Sequence, residues 1–258
     1  MKKYVKDLRV KAVEYPHEWY VLLKLTDEEP LPECVPGQFV EVKVEESPRT
    51  FLRRPISINY VDREKNELWL LIKKVGEGTH KLAELKVGET LNLVFPLGNG
   101  FSLVQKQGER VLLVGGGVGV APLLDYGKYL KEKGAEPVFL LGARSKSDLL
   151  EQELFKEIGP VYVTTEDGSE GEKGFVTQHT ILSREKFDRI SVCGPKPMMA
   201  SVARYAKATN TPCEVSLENM MACGLGACLC CVEKTVKGNV CVCKEGPVFD
   251  INELTWDV

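Results

Sequence analysis

Six of the nine cysteines in this 258-residue chain lie in one stretch near its end, residues 220–243, and no other feature restricts the fold as strongly. The six are Cys223, Cys228, Cys230, Cys231, Cys241 and Cys243. Gly224 and Gly226 lie between the first two cysteines, and glycine accepts the positive φ angles of a tight loop. Such a loop can direct its backbone N–H groups at sulfur atoms. We therefore expect several thiols to meet in one compact loop.

The spacing of these cysteines indicates the centre that they hold. Cys223-x4-Cys228-x2-Cys231, followed by a later cysteine, is the plant-type spacing for a [2Fe–2S] cluster, in which four thiolates hold two irons. The alternatives are a structural zinc site, which usually shows paired C-x2-C motifs, and disulfides. We expect the cluster, and we expect the rest of the chain to deliver electrons to it or to remove them.

The residues alone leave one ligand undecided. Cys230 and Cys231 alternate in the turn, so both cannot easily point at the irons. Cys241 and Cys243 lie two apart on a presumed strand and would share a face. Either of the latter two could be the fourth ligand.

Composition and charge exclude several classes of protein. Apolar residues make up 43% and charged residues 28% of the chain, as in ordinary globular proteins. The net charge of −3 argues against a nucleic-acid partner, which would need a basic face. The longest apolar run, residues 111–124, is too short for a membrane span, and the start of the chain lacks the apolar region of a signal peptide. Clustered thiols without an export signal favour the cytoplasm.

The first 100 residues predict a domain of β-strands. Strands are expected at residues 4–15, 19–25, 38–44, 56–61, 68–75 and 90–94, with one short helix at residues 79–85. Strands at this spacing favour a small antiparallel β-barrel.

From Arg110 onward, short apolar strands alternate with amphipathic helices. Strands are expected at residues 111–114, 137–141, 161–164, 189–193 and 213–217, and helices at residues 122–132, 147–158, 177–183 and 197–208. This alternation is typical of a Rossmann-like parallel α/β domain with helices on both faces of the sheet. We therefore predict a β-barrel domain at residues 1–100, an α/β domain at residues 101–212 and a cluster-binding domain at residues 213–258.

A glycine-rich turn follows the first strand of the α/β domain, at residues 115–122. Gly117-x-Gly119-x-x-Pro122 places backbone N–H groups and a helix N-terminus where they can receive a phosphate. No Gly-Lys-Ser/Thr follows, so the turn is not a P-loop. Pro122 suits the first turn of a helix, and this form resembles that of ferredoxin reductase-like proteins. The alternative is a tight turn without a ligand.

Two more segments resemble the same superfamily. Arg54-Pro-Ile-Ser57 resembles its flavin signature, although Ile56 replaces an aromatic residue of many relatives. Cys193-Gly-Pro, at the carboxyl end of a strand, resembles the element that borders the nicotinamide ring. The resemblance implies FAD in the barrel and NAD(H) in the α/β domain.

The same resemblance implies a set of site residues. Cys193 is the candidate catalytic residue, and the guanidinium of Arg54 would pair with the FAD diphosphate. Glu166 would accept hydrogen bonds from the ribose of NAD(H) and would repel the additional phosphate of NADP(H). The cofactor-binding set is Arg54, Pro55, Ile56, Ser57, Leu71, Ile72, Lys73, Gly78, Thr79, Gly115, Gly117, Gly119, Pro122 and Glu166.

The order of the three regions, a flavin barrel, an NAD domain and a cysteine cluster, resembles that of one known family. This family is the electron-transfer subunits of B-type, NAD-dependent dihydroorotate dehydrogenase. The stretches that carry this resemblance are residues 54–57, 75–79, 115–122, 165–169, 222–228 and 243–249. The family's ending implies Cys243 as the fourth ligand, beside Cys223, Cys228 and Cys231.

The family also implies a partner and a role. An FMN-bearing catalytic subunit would oxidise dihydroorotate, and electrons would pass through the [2Fe–2S] cluster and FAD to NAD+ in pyrimidine biosynthesis. The assembly would be a heterotetramer of two copies of each subunit. An apolar face around the cluster would meet the partner, formed by Met220, Met221, Leu225 and Leu229.

Three other functions fit parts of the sequence. The nearest is the small flavin subunit of an NADH-dependent ferredoxin–NADP oxidoreductase or of a related hydrogenase. In the former group the first cluster ligand is typically an aspartate, whereas this chain has Cys223. The others are a stand-alone oxygenase or ferredoxin reductase, and a zinc-containing binding subunit without catalysis.

Overall fold

The computed structural model describes residues 2–256, which form two seven-stranded sheets and a two-stranded hairpin. Met1, Asp257 and Val258, at the outer limits of the predicted first and third domains, lie outside the described residues.

The first sheet is antiparallel throughout and curves into a barrel. Its elements are β1 (Tyr4–His17), β2 (Tyr20–Thr26), β3 (Phe39–Val42), β4 (Arg54–Ser57), β5 (Tyr60–Asp62), β6 (Glu67–Lys73), α1 (Glu77–Leu82) and β7 (Thr90–Leu97). The strands are ordered β4-β3-β7-β1-β2-β6-β5. Alternate residues such as Leu8 and Val10 point into the barrel and are fully buried, because side chains along a strand alternate between its two faces.

The second sheet is parallel except at one edge. Its part of the chain contains β8 (Arg110–Gly116), α2 (Ala121–Glu132), β9 (Glu136–Ala143), α3 (Gln152–Ile158), β10 (Val161–Thr165), β11 (Glu172–Lys173), α4 (Ile181–Arg184), β12 (Arg189–Cys193), α5 (Lys196–Ala208) and β13 (Cys213–Ser216). The order is β11-β10-β9-β8-β12-β13-β16, where β16 (Val248–Asp250) is antiparallel to β13.

The central strand β8 is buried on both faces. Leu112 and Val114 belong to a core cluster that also contains side chains of α5, whereas Val111 and Leu113 belong to a cluster that contains side chains of α2. This is the burial expected of a parallel sheet between two helical layers. It explains why β8 reads as a continuous apolar run.

Most of the predicted elements are confirmed, but one predicted strand and two predicted helices are wrong in extent. The strand predicted at residues 56–61 is two separate strands, β4 and β5, which lie at opposite edges of the first sheet. The helix predicted at residues 147–158 is a 3-10 turn at Lys146–Asp148, an irregular step through Glu151 and then α3 alone. The helix predicted at residues 177–183 is a 3-10 turn at Val176–Gln178 followed by α4.

The end of the chain packs against both sheets. β14 (Val232–Thr235) and β15 (Gly238–Cys241) form the hairpin, and α6 (Val242–Glu245) follows it. β13 and β16 complete the second sheet, so residues after 212 contribute two of its strands. Asn99, just after β7, donates its backbone N–H to the carbonyl of Gly246 at 2.7 Å, which fastens the segment after α6 to the end of the barrel.

No helix among residues 2–256 combines the length and the apolar character that crossing a bilayer would require.

Candidate functional site

A cleft of about 710 Å³ lies between the barrel and the carboxyl ends of the parallel strands. The barrel contributes Trp19, Tyr20 and Lys73 to its lining. The second domain contributes strand ends and helix starts, among them Gly116, Gly117, Arg144, Glu166, Phe175, Pro195 and Met198. Ligands of open α/β sheets bind outside these strand ends, so this cleft can take a dinucleotide.

The glycine-rich turn lies at one wall of the cleft. Gly117 has a φ of +56°, a conformation that glycine adopts without strain. A Cβ at Gly119 would lie 2.6 Å from the carbonyl of Cys193, so only glycine allows this turn to pack against the end of β12. Pro122 lies in the first turn of α2. Gly115 is required for a contact within the turn itself, because a Cβ there would lie 2.8 Å from the side chain of Val120.

Glu166 is the carboxylate that faces the cleft at the end of β10. The neighbouring Asp167 is turned into its own loop, where hydrogen bonds from the hydroxyl (2.6 Å) and the backbone N–H (2.9 Å) of Ser169 lower its pKa. Arg144 also lines the cleft and brings a cation near Glu166. The predicted acidic residue therefore lies at the site, in a lining that also contains the cations Arg144 and Lys73.

Two aromatic side chains of the cleft were missed in the sequence. Trp19, from the turn between β1 and β2, is 50% exposed, and Phe175, beyond β11, is 61% exposed. Gly174, with a φ of +125°, precedes Phe175 and allows the turn that presents it. For Phe175, the sequence did contain one signal of an exposed aromatic side chain, which is its position directly after a glycine in an irregular segment.

Cys193 lies beneath the cleft rather than in its lining. Its side chain is 1% exposed and belongs to a core cluster with Tyr20, Leu71 and Val120. Burial raises the pKa of this thiol, which keeps it protonated and unreactive. Its backbone touches Gly119, so Cys193 shapes the wall of the site. Its catalytic role stays a prediction.

Strand β4 carries the predicted flavin motif and pairs with β3, with Arg54 opposite Val42 and Ser57 opposite Phe39. The two arginines at its start have different environments. Arg53 donates to the carbonyl of Glu41 at 3.1 Å and to that of Asn92 at 3.2 Å, so it holds the barrel together. Over residues 2–256, Arg54 donates hydrogen bonds to the carbonyls of its neighbours Leu52 and Arg53, which leaves its guanidinium available to an anion.

The start of α1 lies beside Arg54. A Cβ at Gly78 would lie 3.2 Å from Nε of Arg54. The hydroxyl of Thr79 accepts hydrogen bonds from the N–H groups of Val75 (2.9 Å) and Gly76 (3.1 Å), so it builds the turn. First-turn N–H groups have no partner within their own helix, and here they lie next to a guanidinium. These residues fit a diphosphate.

Strand β6 runs from the barrel core to the cleft. Leu71 and Ile72 are buried opposite Leu22 and Val21 of β2, while Lys73 is exposed and lines the cleft. The predicted flavin-binding strand therefore ends where the dinucleotide cleft begins.

The cysteine loop directs N–H groups at its sulfur atoms. Leu225 donates to Sγ of Cys223 at 3.3 Å, and Gly226 donates to Sγ of Cys243 at 3.1 Å. Burial alone would raise the pKa of Cys223, but the N–H groups of Leu225, Cys228 and Ala227 lower it to about 6. The loop thus favours a thiolate at Cys223, whereas burial and the neighbouring Cys231 raise the pKa of Cys243 to about 12.

The structure separates the cysteines that the sequence left undecided. Cys231 is 2% exposed, whereas Cys230 is exposed. Cys241 ends β15 but Cys243 lies in α6, so the expectation that both share one strand face is wrong. Cys243 is fully buried and accepts the N–H of Gly226, whereas the thiol of Cys241 donates to the carbonyl of Gly226 at 3.8 Å.

The remaining cysteines of the loop lie close to Cys223 and Cys243. The backbone N–H of Cys243 donates to Sγ of Cys231 at 3.4 Å. Cys228 contributes to the lowered pKa of Cys223, and Cys231 contributes to the raised pKa of Cys243. Over residues 2–256, no three Cys, His, Asp or Glu side chains are arranged around a single metal ion. A loop that brings four thiols together and directs N–H groups at their sulfur atoms fits a [2Fe–2S] cluster. All nine cysteines are free thiols, which also contradicts the disulfide alternative.

Glu41 of β3 connects the cysteine loop with the flavin strand. Its side chain is fully buried, and its carboxylate oxygens have no hydrogen-bond partner within the described part of the chain. A Cβ at Gly224 would lie 2.7 Å from its Cγ, and β4 pairs with it through Pro55. Burial and the nearby Cys223 raise the pKa of Glu41 to about 7. Glu41 was missed in the sequence, because the loop that covers it lies much later in the chain.

Two family models match the chain. The iron–sulfur cluster binding domain of dihydroorotate dehydrogenase B matches residues 218–255, and the oxidoreductase NAD-binding domain matches residues 113–204. The first covers the cysteine loop and the second covers the glycine-rich turn. These matches confirm the predicted cluster and the predicted NAD(H).

Solved structures confirm the predicted fold. A chain in the structure of an NADH-dependent reduced ferredoxin-NADP oxidoreductase has a TM-score of 0.87 and 31% identity, covering 97% of this chain and 90% of that one. The ferredoxin reductase in carbazole 1,9a-dioxygenase has a TM-score of 0.69 at 22% identity, covering 82% and 68%, which shows the fold alone. This ferredoxin reductase-like fold is the predicted combination of FAD barrel, NAD domain and cluster module.

Two relatives identify the family. One from Shouchella clausii (strain KSM-K16) is 43% identical, and one from Bacillus caldolyticus is 40% identical; each alignment covers 85% of this chain and 86% of the relative. Both are named dihydroorotate dehydrogenase B (NAD(+)), electron transfer subunit. The chain belongs to the family of electron transfer subunits of NAD+-dependent dihydroorotate dehydrogenase B.

Proposed function

We propose that this chain transfers electrons from an FMN-bearing dihydroorotate dehydrogenase subunit to NAD+, in pyrimidine biosynthesis. The observation that carries the proposal is the packing of the cysteine loop on the barrel. Gly224 lies against Glu41 and Leu97, and Glu41 pairs with the flavin strand through Pro55. A cluster in this loop and a flavin on this strand are therefore neighbours. The cleft for the dinucleotide lies at the strand ends of the α/β domain, and Lys73 of the barrel also lines it.

We assign the cluster to Cys223, Cys228, Cys231 and Cys243. Support comes from the N–H donors at Cys223, Cys231 and Cys243. Cys231 and Cys243 are also buried together, whereas Cys241 is only partly buried and its thiol is turned to the carbonyl of Gly226.

We assign the FAD diphosphate to Arg54 and to the N–H groups at Gly78 and Thr79, and the NAD(H) diphosphate to the turn at Gly117 and Gly119. Glu166 would accept hydrogen bonds from the adenosine ribose and favour NAD(H) over NADP(H). The assignment keeps three regions, residues 1–100, 101–212 and 213–258, with β13 and β16 of the third region completing the sheet of the second.

When bound, the cluster exchanges single electrons, and FAD links single-electron transfer to hydride transfer with NAD(H). The residues of the chain hold these groups in place and control their surroundings. The N–H groups around Cys223 stabilise negative charge on sulfur. Leu71 and Ile72 are buried and keep water from the inner side of β6.

The partner would dock beside the cysteine loop. Met220 is 83%, Leu225 is 47% and Leu229 is 65% exposed, which leaves an apolar surface next to the proposed ligands. Met221 does not belong to this surface, because it is 8% exposed and packs in the core. We propose a heterotetramer of two copies of each subunit, in the cytoplasm.

The isolated chain, loaded with FAD and cluster, should reduce dyes with NADH. It should support dihydroorotate oxidation by NAD+ only after the FMN-bearing subunit is added. Co-purification with that subunit, analysed by light scattering, should give the mass of a two-plus-two assembly. A stable one-to-one complex would contradict the heterotetramer but not the electron-transfer role.

A second candidate is the flavin subunit of an NADH-dependent ferredoxin–NADP oxidoreductase, which the likeness at a TM-score of 0.87 favours. The two candidates require different partners. Reconstitution with an FMN-bearing dihydroorotate dehydrogenase subunit should restore dihydroorotate–NAD+ activity. The second candidate would be favoured if this reconstitution failed and the chain, in a complex with a different partner, was active towards reduced ferredoxin and NADP+.

A further inference from the structure

A buried hydrogen-bonded link joins the barrel to the α/β domain at Asn59, two residues after the flavin strand. Asn59 is fully buried, and its Nδ2 donates to the carbonyl of Ala121 at 3.1 Å and to Oε2 of Glu151 at 3.0 Å. Its own carbonyl accepts the N–H of Asp125 at 3.2 Å. Ala121 begins α2, directly after the glycine-rich turn. The link therefore connects the strand proposed to hold FAD with the turn proposed to hold NAD(H).

Glu151 is held in an uncommon conformation at this link. It precedes α3 with a φ of +55°, in the left-handed region that few residues other than glycine adopt. This is the point where the helix predicted from residue 147 is interrupted. Neighbouring Leu150 is 3% exposed and anchors the irregular step in the core. Conformations of this kind persist where the surrounding structure enforces them, often at functional sites.

Two acceptors at the link lack donors. Oε1 of Glu151 and Oδ1 of Asn59 are both buried without a hydrogen-bond partner among residues 2–256. The orientation of the Asn59 amide is fixed, because its Nδ2 lies between two acceptors. A proton on Glu151 would turn one orphaned acceptor into a donor. The neutral form of Glu151 therefore leaves fewer buried acceptors without a donor than the carboxylate does.

We propose that Asn59 and Glu151 are positioning residues for hydride transfer, which set the flavin strand against the nucleotide-binding turn. The inference rests on the proposed function, because it assumes FAD on β4 and NAD(H) on the turn before α2. Hydride transfer depends steeply on the approach of donor and acceptor, and a displacement of about 1 Å can lower a rate about 100-fold. A link anchored on both binding elements controls that approach directly.

The charges around the link make its strength depend on pH. Burial raises the pKa of Glu151 to about 7, from an ordinary value of 4.5. The charged groups facing Glu151 are Lys24 and Glu14 of the barrel, and Lys24 already pairs with Glu14 at 2.5 Å.

Asp125 of α2 completes the surroundings of the link. Its Oδ1 accepts the N–H of Val61 at 3.3 Å, and burial raises its pKa to about 6, with Arg63, Glu132 and Lys128 as its charged neighbours. Above pH 7 Glu151 becomes charged at a buried site. The hydrogen bond from Asn59 favours the charged form, but burial opposes it more strongly, so we expect the packing of the two domains at the link to loosen.

Three variants test the inference. Glu151→Gln imitates the neutral acid, because its amide can both donate and accept. Glu151→Ala and Asn59→Ala break the link. Val202→Ala serves as a control for lost stability, because Val202 is 3% exposed in α5 and lies outside the proposed sites.

The kinetic experiment measures NADH–ferricyanide activity of the FAD-loaded chain between pH 5.5 and 9, with NADH and with NADH deuterated at C4. Each NADH gives two electrons to two ferricyanide ions and releases one proton. Glu151→Ala and Asn59→Ala should lower kcat about 10- to 100-fold and raise the deuterium isotope effect. Glu151→Gln should keep the neutral-pH kcat of the wild type but lose the decline above pH 7. Val202→Ala should match the wild type in kcat and isotope effect.

A stability measurement supplies a readout that does not depend on activity. Because the pKa of Glu151 is higher folded than unfolded, the wild type should lose stability as pH rises from about 5 to 8. Relative to Glu151→Gln, its unfolding equilibrium constant should rise on the order of 100-fold across this window.

Two results would overturn the inference. One is that Glu151→Ala keeps the kcat and the isotope effect of the wild type and only lowers the melting temperature, as Val202→Ala does. The other is a pH dependence of kcat and stability in Glu151→Gln identical to that of the wild type. Failure of the wild type itself to bind FAD or oxidise NADH would overturn the proposed function as well, and so the two failures are distinguishable.

Discussion

Replacement of Gly224 by alanine tests how closely the cysteine loop is fitted to the barrel. Gly224 has a φ of +65°, and a Cβ there would lie 2.7 Å from Cγ of Glu41 and 2.8 Å from Cδ1 of Leu97. Both distances are shorter than real Cβ contacts, and both partners are buried. The added methyl must therefore push the loop away from β3 and β7.

The expected destabilisation has two parts. A left-handed conformation costs an alanine about 1–2 kcal/mol relative to glycine. Overpacking against buried side chains adds about 1–3 kcal/mol. The sum of about 2–5 kcal/mol should lower the melting temperature by about 4–20 °C for a chain of this size. The loop should also lose iron, because its N–H donors move with it.

Gly108→Ala is the matched control. Gly108 has a φ of +69°, but nothing lies within 4 Å of the position of its Cβ. It should show only the conformational part, about 1–2 kcal/mol, with full iron content. Thermal unfolding and iron analysis of both variants separate the two contributions. Equal melting temperatures and equal iron content in Gly224→Ala and Gly108→Ala would refute the contact between the loop and the barrel.

Three further predictions concern the proposed ligands and cofactor contacts. Cys243→Ser should lose the cluster and Cys241→Ser should retain it, and the reverse pattern in iron analysis would show that the fourth ligand is Cys241. Diaphorase kcat/KM should be at least about tenfold higher with NADH than with NADPH, because Glu166 repels a phosphate; equal values would contradict the assignment. Arg54→Ala should lower FAD content with little loss of stability, whereas Arg53→Ala should cost about 1–3 kcal/mol by removing charged hydrogen bonds to the carbonyls of Glu41 and Asn92; a thermal shift assay with and without added FAD distinguishes them.

Much of the fold was predictable because each element carries its own periodic signal. β8 could be predicted from a run of apolar residues, since a parallel strand between two helical layers is buried on both faces. The barrel strands alternate, as strands with one buried face do. The glycine-rich turn and the cysteine spacing are local motifs, so their chemistry also could be read without a structure.

The errors occur where distant contacts override the local pattern. The segment before Ile158 has the composition of a helix, but Leu150 and Glu151 are drawn into the domain interface, and the helix begins only at Gln152. Cys243 was expected on a strand, but it lies in α6 and meets the N–H of Gly226. Glu41 was missed, because nothing near it in sequence shows that the cysteine loop covers it. Neither buried carboxyl could have been found without the tertiary contacts.

The central claim is that this chain carries electrons and does not itself oxidise dihydroorotate. The most direct measurement follows NADH formation from dihydroorotate and NAD+, using the purified chain loaded with FAD and cluster and shown to be free of FMN. The account predicts NADH–dye reductase activity but no dihydroorotate oxidation, until the FMN-bearing subunit is added and both activities are present. Dihydroorotate-dependent NADH formation by the isolated, FMN-free chain would contradict it.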